Sequence, residues 1–321
     1  MFYDGKTVLV TGGAGFVGTH IIGELLRYDV RIRVPVHNRP MILRDPRIET
    51  VPADLTNEED CRRVSEGVDC LFHAAGAVSA AAVTAKSPMG AITTNLILTA
   101  RVLQAAGECG IKRSLVFSSS TGYPPAAWPI REEEMWMAEP YPGYFGYGWM
   151  RRYLEKMASF VMQKSSMGIA VVRPTAVYGP WDNFDPVTSH VVPALIRKAV
   201  ERMNPYEVWG TGDEVRDFLH VRDLARGCLL MLEHKADGDP VNIGYGRGFT
   251  VREMITVILA AAGYADAKLV FDSSKPSTIP FRVVDTSKAK RLFGFEPEIS
   301  FEDGLRETVA WYRGNQNRVE G

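Results

Sequence analysis

Short apolar runs ending in glycine alternate with helical spacing through the first half of the chain. KTVLVTG (6–12) is such a run, the pattern of a strand buried on both faces. FVGTHIIGELLRY (16–28) repeats its apolar positions at helical spacing. RIRVPVHN (31–38) predicts a second strand and RIETVPADL (47–55) a third. TNEEDCRRVSEG (56–67) reads as a helix opening with Thr56 as its cap and an acidic first turn. DCLFHAAG (69–76), RSLVFSSS (113–120) and IAVVRPTAVYG (169–179) predict further strands, separated by helices at about 90–109 and 147–166. This alternation predicts a doubly wound parallel sheet with right-handed crossovers.

After Gly179 the texture changes. Pro, Trp, Asn and Asp cluster in GPWDNFDPVTSH (179–190). Helices are predicted at 190–203, 222–234, 250–263 and 301–313, with short strands near 206–209, 241–243 and 268–271. The fold class is therefore α/β, a Rossmann-type doubly wound parallel sheet with a smaller C-terminal α/β substrate-binding lobe. Residues 1–179 form the dinucleotide-binding domain and 180–321 the second lobe. The segment near 215–245 is a candidate to fold back onto the first domain.

Composition narrows the function. A chain of 321 residues, 46% apolar and 23% charged, has the make-up of an ordinary globular protein. A formal net charge of −1 gives no footprint for nucleic acid or an anionic membrane. Cys61, Cys70, Cys109 and Cys228 are scattered without metal-ligand spacing, so no metal is expected and a reducing cytoplasmic setting is. No signal peptide is read at the start. The longest apolar stretch, MITVILAAAGYA (254–265), is too short to span a bilayer.

The chemistry starts at VLVTGGAGFVGTHI. Gly12, Gly15 and Gly18 fall between a strand and a helix, where glycine permits a tight turn and close approach of a pyrophosphate to the helix N-terminus. Phe16 and Val17 belong to the same turn. An ordinary glycine-rich turn is the bland alternative. At the end of the second strand, where an NAD site carries an acid for the ribose hydroxyl, the chain reads His37, Asn38, Arg39. A cation there suits a 2′-phosphate, which favours NADP over NAD with Asn38 and Arg39 as contacts. Arg39 as a solvated loop residue is the alternative. Asp54 and Leu55 follow the third strand, where an adenine contact is expected. Ala74, Ala75 and Gly76 suit close packing against the cofactor, and His73 reads as structural.

FSSSTGYPP (117–125) ends a strand at the carboxyl edge of the sheet, where doubly wound folds bind ligands. Tyr147 and Arg151 are four residues apart and share one helix face. A tyrosine beside a fixed cation suits proton transfer near neutral pH.

The glycine loop, ADL, HAAG, FSSS, the tyrosine helix and VVRPTAVYGP together resemble the extended short-chain dehydrogenase/reductases, the nucleotide-sugar epimerase/dehydratase group. YGPWDNFDPVTSHVVPALIRK, VWGTGDEVRDFLHVRDLARG, NIGYGRGFTVREM and FDSSKPSTIPFRVVD resemble one branch, the epimerase-reductases acting on GDP-4-keto-6-deoxymannose. The resemblance implies Ser119 as the catalytic serine, Tyr147 as the catalytic tyrosine and His190 as an acid/base histidine. It implies Lys198, Trp209, Arg216 and Lys275 as substrate-binding residues, Asn95 as an active-site asparagine, and a homodimer formed through the helices near 90–107 and 147–164.

Three positions depart from the family pattern. Arg151 stands in place of the catalytic lysine, Thr121 in place of the epimerization cysteine, and Ala176 in place of an asparagine. Arginine keeps the charge but does not readily give up a proton. A threonine hydroxyl is far too weak an acid for carbon-bound proton transfer. The expected activity is thus NADPH-dependent C4 reduction of a nucleotide-linked 4-keto-6-deoxy sugar, GDP-linked as the resemblance implies, with 3,5-epimerization lost or altered. Two alternatives stand beside it: a nucleotide-sugar epimerase with tightly bound NAD, and a catalytically decayed nucleotide-binding homologue.

Overall fold

The computed structural model describes residues 1–77, 87, 89–275 and 279–319. The chain begins β1 (Thr7–Thr11), α1 (Phe16–Leu25), β2 (Arg31–Val36), β3 (Ile48–Pro52), α2 (Glu58–Ser65), β4 (Cys70–His73) and α3 (Gly90–Glu108). It continues β5 (Arg113–Phe117), α4 (Phe145–Lys164), β6 (Gly168–Pro174), β7 (Ala176–Tyr178), α5 (Val191–Val200), β8 (Tyr206–Trp209), β9 (Val215–Arg216) and β10 (Phe218–His220). The remainder is α6 (Val221–His234), β11 (Val241–Ile243), β12 (Phe249–Thr250), α7 (Val251–Ala262), β13 (Leu269–Asp272), β14 (Phe281–Arg282), α8 (Ser287–Phe293) and α9 (Phe301–Val319).

A seven-stranded parallel sheet in the order β11-β6-β5-β4-β1-β2-β3 forms the centre. The strand order reverses between β1 and β4, which opens a crevice at the carboxyl edge. Side chains on β1 divide by parity. Val8 and Val10 join the cluster containing Ile21 and Ile22 of α1 and Leu224 and Cys228 of α6. Leu9 joins the opposite cluster, with Val64 of α2, Val102 and Leu103 of α3 and Ala158 of α4. Both faces are covered, which is why these strands read as unbroken apolar runs rather than alternating ones.

The C-terminal segment builds its own core. Leu195 and Ile196 of α5, Met254 and Ile258 of α7 and Leu305 and Val309 of α9 pack together with Phe184 and Tyr206. Three small sheets carry the loops of this lobe: β10-β7, β12-β9-β14 and β13-β8. β11 lies instead on the edge of the large sheet, paired with β6 from Val241↔Val172 to Ile243↔Pro174.

One local expectation is corrected. The cap of α2 is Asn57, whose side chain accepts from the backbone N–H groups of Glu59 and Asp60. Thr56 donates its own N–H and hydroxyl to Asp54, closing a turn one residue earlier. Asn and Thr both satisfy cap geometry, and the Asp54 turn decides between them.

Candidate active site

β1 delivers the chain into a tight turn with no room for a Cβ at Gly12 or Gly18. Gly12 has φ +69°, and a Cβ there would lie 2.7 Å from the Ala74 carbonyl and the Ala75 nitrogen. A Cβ on Gly18 would fall 2.2 Å from the Gly12 oxygen. Gly15 N–H donates to that same oxygen at 2.9 Å and Gly15 caps α1 without a side-chain bond. The first turn of α1 holds no acidic residue. Its N–H groups and positive dipole end are left for an anion, so the cradle fits the pyrophosphate of a dinucleotide.

Neighbouring side chains fix the opposite wall. His73 hydrogen-bonds Thr11 Oγ1 through Nδ1 at 2.8 Å and Thr99 Oγ1 through Nε2 at 3.1 Å. Burial, with a smaller push from Arg151, lowers its pKa to about 4, so it stays neutral. Thr11 Oγ1 also accepts from Ala75 N–H at 3.1 Å. Asn95 donates through Nδ2 to the carbonyls of Ala77 and Ala91 at 2.8 and 2.7 Å. Its Oδ1 would lie 2.7 Å from a Cβ on Gly76. His73 and Asn95 thus shape the 74–77 turn. Beyond β2, His37, Asn38, Arg39 and Arg44 share a depression of 430 Å³ with Met41 and Thr50. The Asp54 carboxylate accepts from Thr56 N–H and hydroxyl, which holds its pKa below the ordinary value, and Leu55 is buried beside it.

The helix α4 brings the second group of candidates to the end of β5. Arg151 donates through Nη2 to the Tyr147 hydroxyl at 2.5 Å and through Nη1 to the Phe117 carbonyl at 2.8 Å. Its guanidinium lies 4.9 Å from the centre of the Tyr147 ring, and its Nε is buried with no hydrogen-bond partner among the described residues. Gly148 lets the helix touch the serine turn: a Cβ there would lie 2.7 Å from the Thr121 carbonyl oxygen. Ser119 caps that turn, its Oγ accepting from Thr121 N–H at 3.1 Å and hydrogen-bonded to the Thr121 hydroxyl at 2.9 Å. Ser119, Thr121, Tyr147 and Arg151 are therefore brought together.

Behind them lies a buried ionic group that sequence reasoning missed. Glu155, two turns after Tyr147, makes a two-point bond to Arg173 of β6, Nε–Oε1 and Nη2–Oε2 both 2.7 Å. Ser118 Oγ donates to the same carboxylate at 2.5 Å, and Arg173 Nη1 reaches the Tyr123 hydroxyl and the Glu132 carbonyl. The signal available was a carboxylate on an otherwise buried helix face. Its partner was not legible.

The C-terminal candidates form two groups. Arg216 of β9 donates to the carbonyls of Val215 and Pro280, and its pKa is lowered chiefly by desolvation. Its register partner is Arg282 of β14, which reasoning from sequence also missed. Arg282 donates to the Tyr123 and Pro124 carbonyls at 3.0 and 3.1 Å, just beyond the serine turn. Burial pushes it down to about 10, and Arg216 adds to that push. Lys198 donates to the Glu207 carbonyl at 2.8 Å on β8, the strand that ends at the half-exposed Trp209. Trp209 registers with Asp272, three residues before the exposed Lys275. His190 caps α5 with no side-chain bond, and among the described residues its ring has no hydrogen-bond partner. The ring remains open to solvent, yet surrounding protein lowers its pKa through lost solvation.

Comparison with known proteins places these features in a family. The model of the NAD dependent epimerase/dehydratase family matches residues 8–244. A probable GDP-L-fucose synthase 1 of Oryza sativa subsp. japonica is 33% identical over 320 residues, covering 97% of this chain and 93% of that protein. A dTDP-4-dehydro-6-deoxy-D-allose reductase of Streptomyces bikiniensis is 27% identical, covering 97% of each. The crystal structure of a UDP-glucose 4-epimerase with UDP-glucose from Thermotoga maritima superimposes with a TM-score of 0.87 at 26% identity, covering 97% of this chain and 99% of that one.

Proposed function

The chain belongs to the NAD dependent epimerase/dehydratase family, and on that premise we propose that it is an NADPH-dependent C4 reductase of a nucleotide-linked 4-keto-6-deoxy sugar, GDP-linked in the first instance, with 3,5-epimerization lost or altered. The observation that carries this reading is the cluster of Ser119, Thr121, Tyr147 and Arg151 at the carboxyl end of the sheet, beside a cradle shaped for a dinucleotide. The names of the rice and Streptomyces relatives support it, one a fucose synthase and one a deoxy-sugar reductase.

A reduced nicotinamide bound in the cradle supplies the two electrons that convert the C4 carbonyl to an alcohol. The Tyr147 hydroxyl gives its proton to the C4 oxygen. Arg151, donating to that hydroxyl, stabilises the phenolate left behind. Ser119 hydrogen-bonds the carbonyl as negative charge develops. Arg216 and Lys275, with Arg282 beside Arg216, hold the diphosphate of the substrate, and Trp209 and Lys198 border the nucleotide. Gly12, Gly15, Phe16, Val17, Gly18 and the 74–76 turn hold the pyrophosphate. Asn38 and Arg39 receive the 2′-phosphate, with Asp54 and Leu55 at the adenine. His190, open to solvent, contacts the sugar. Thr121 offers a hydroxyl where epimerization needs a stronger acid.

We further propose a homodimer. Phe145, Trp149, Tyr153 and Phe160 are exposed at helical spacing along one face of α4, and Ile97 is exposed on the adjoining α3. Light scattering after size exclusion reads the assembly, and a monomer at micromolar concentration refutes it. A cytoplasmic setting is supported by four unpaired cysteines.

NADPH consumption with GDP- and dTDP-linked 4-keto-6-deoxyhexoses tests the function. Turnover of one of them, faster with NADPH than with NADH, supports it. Absence of turnover with both, while NADPH binds, overturns it.

A further inference from the structure

The Thr121 hydroxyl has a partner that the loss of epimerization does not explain. Ser119 Oγ accepts from Thr121 N–H at 3.1 Å, and the Thr121 hydroxyl lies 2.9 Å from the same oxygen. A hydroxyl offers two acceptor sites and one hydrogen. The backbone N–H fills one acceptor site of Ser119; a proton donated by the Thr121 hydroxyl would fill the other and leave Ser119 only its own hydrogen to offer.

We propose that Thr121 is a positioning residue that commits Ser119 to act as a donor toward the carbonyl oxygen of the substrate. Three features hold Thr121 in place. Its N–H is fixed in the turn that Ser119 caps. Its carbonyl lies against Gly148, the residue after Tyr147. Its β-branched side chain has few rotamers. The donor hydrogen of Ser119 and the hydroxyl of Tyr147 are thus set by one packed unit. An oxygen that gains negative charge during reduction needs donors that require no reorientation. A cysteine at 121 would supply a weaker S–H donor at longer range. Threonine therefore does more here than remove a carbon acid/base group: it arms the serine for carbonyl reduction.

The inference rests on the reductase reading, and its test separates the two. Kinetics are measured with NADPH and whichever GDP- or dTDP-linked 4-keto-6-deoxyhexose the protein reduces. Thr121→Val, which keeps the shape and the N–H bond, is expected to lower kcat about tenfold with KM for the sugar unchanged, a difference of one hydrogen bond. Thr121→Ser is expected to recover most of the rate. In a Ser119→Ala background, Thr121→Val is expected to have no further effect. An unchanged or raised kcat in Thr121→Val overturns the inference, because the serine would then have been donating to the threonine. If Ser119→Ala itself retains full kcat, the reductase reading of Ser119 falls instead, and the inference with it. A neutron structure of the protein reads the same hydrogen whatever substrate turns over. Deuterium on Thr121 Oγ1 directed at Ser119 Oγ supports the inference, and deuterium on Ser119 Oγ directed at Thr121 overturns it.

Discussion

Replacing Glu155 by alanine removes the counter-charge from a guanidinium that is sealed in protein. The Arg173 side chain is 2% exposed and that of Glu155 5% exposed, so neither end of the pair is relieved by water. Truncating one partner of such a pair costs about 3–5 kcal/mol, because a buried charge is left uncompensated. The Ser118 hydroxyl loses its acceptor as well, which adds roughly 1 kcal/mol. The total, about 5 kcal/mol, is a few thousandfold in the folding equilibrium at about 1.4 kcal/mol per tenfold. Glu155→Gln keeps the shape and an acceptor but not the charge, and is expected to cost about 2–3 kcal/mol. Denaturant unfolding, followed by tryptophan fluorescence and circular dichroism, gives the midpoint and slope for each variant. A double-mutant cycle with Arg173→Met isolates the pair, with an expected coupling above about 2 kcal/mol. Because Tyr147, Arg151 and Glu155 lie on successive turns of α4, kcat should fall further than the unfolded fraction explains. A Glu155→Ala loss below about 1 kcal/mol, or a coupling below about 0.5 kcal/mol, would refute the argument that this pair pins the helix.

Three further outcomes follow from the geometry. Gly18→Ala should weaken NADPH binding by on the order of 100-fold in a fluorescence titration, since its Cβ would enter the Gly12 carbonyl, whereas Gly23→Ala on the same helix, with nothing within 4 Å, should not. Arg39→Ala should raise the Kd for NADPH about 10–100-fold and leave that for NADH unchanged, reading one charge-assisted contact to the 2′-phosphate. Asp182 keeps Oδ2 sealed and, among the described residues, without a hydrogen-bond partner, although the residue as a whole is not fully buried, and burial pushes its pKa up to about 7. Its folded form therefore holds the proton that the unfolded form releases near pH 4, so stability should decline as pH rises from about 4 to about 7. Asp217, raised by burial to about 6, adds to the lower part of that slope. Asp182→Asn should flatten denaturant midpoints between pH 6 and 7.5, and an unchanged slope there would count against the assignment.

The large sheet was legible because its strands are buried on both faces and its helices are long enough to repeat their apolar positions several times. The prediction of a helix at 147–166 lies within two residues of Phe145–Lys164 at each end. The two-residue strands β9, β12 and β14 carried no period to read. Local chemistry misled at Thr56, where a competing Asp54 turn moved the cap by one position. The candidate site was legible in sequence only where its residues are close together, as in the glycine turn or the step from Tyr147 to Arg151. Glu155 with Arg173, and Arg282 with the Tyr123 and Pro124 carbonyls, depend on which strands the fold makes neighbours. No spacing rule encodes those meetings. The bond from Thr121 to Ser119 was also hidden, because it follows from the tight turn and not from residue type.

Product analysis after reduction in deuterated water tests the central claim most directly. Unlabelled NADPH is supplied with the nucleotide-linked 4-keto-6-deoxyhexose, and the product is examined by NMR at C3, C4 and C5. The account predicts an alcohol at C4 carrying protium from the cofactor, with C3 and C5 unchanged in configuration and free of solvent deuterium. Inversion at C3 and C5 with deuterium at both, at the rate of reduction, would contradict it. That result would mean that intact two-centre epimerization survives without a cysteine at position 121.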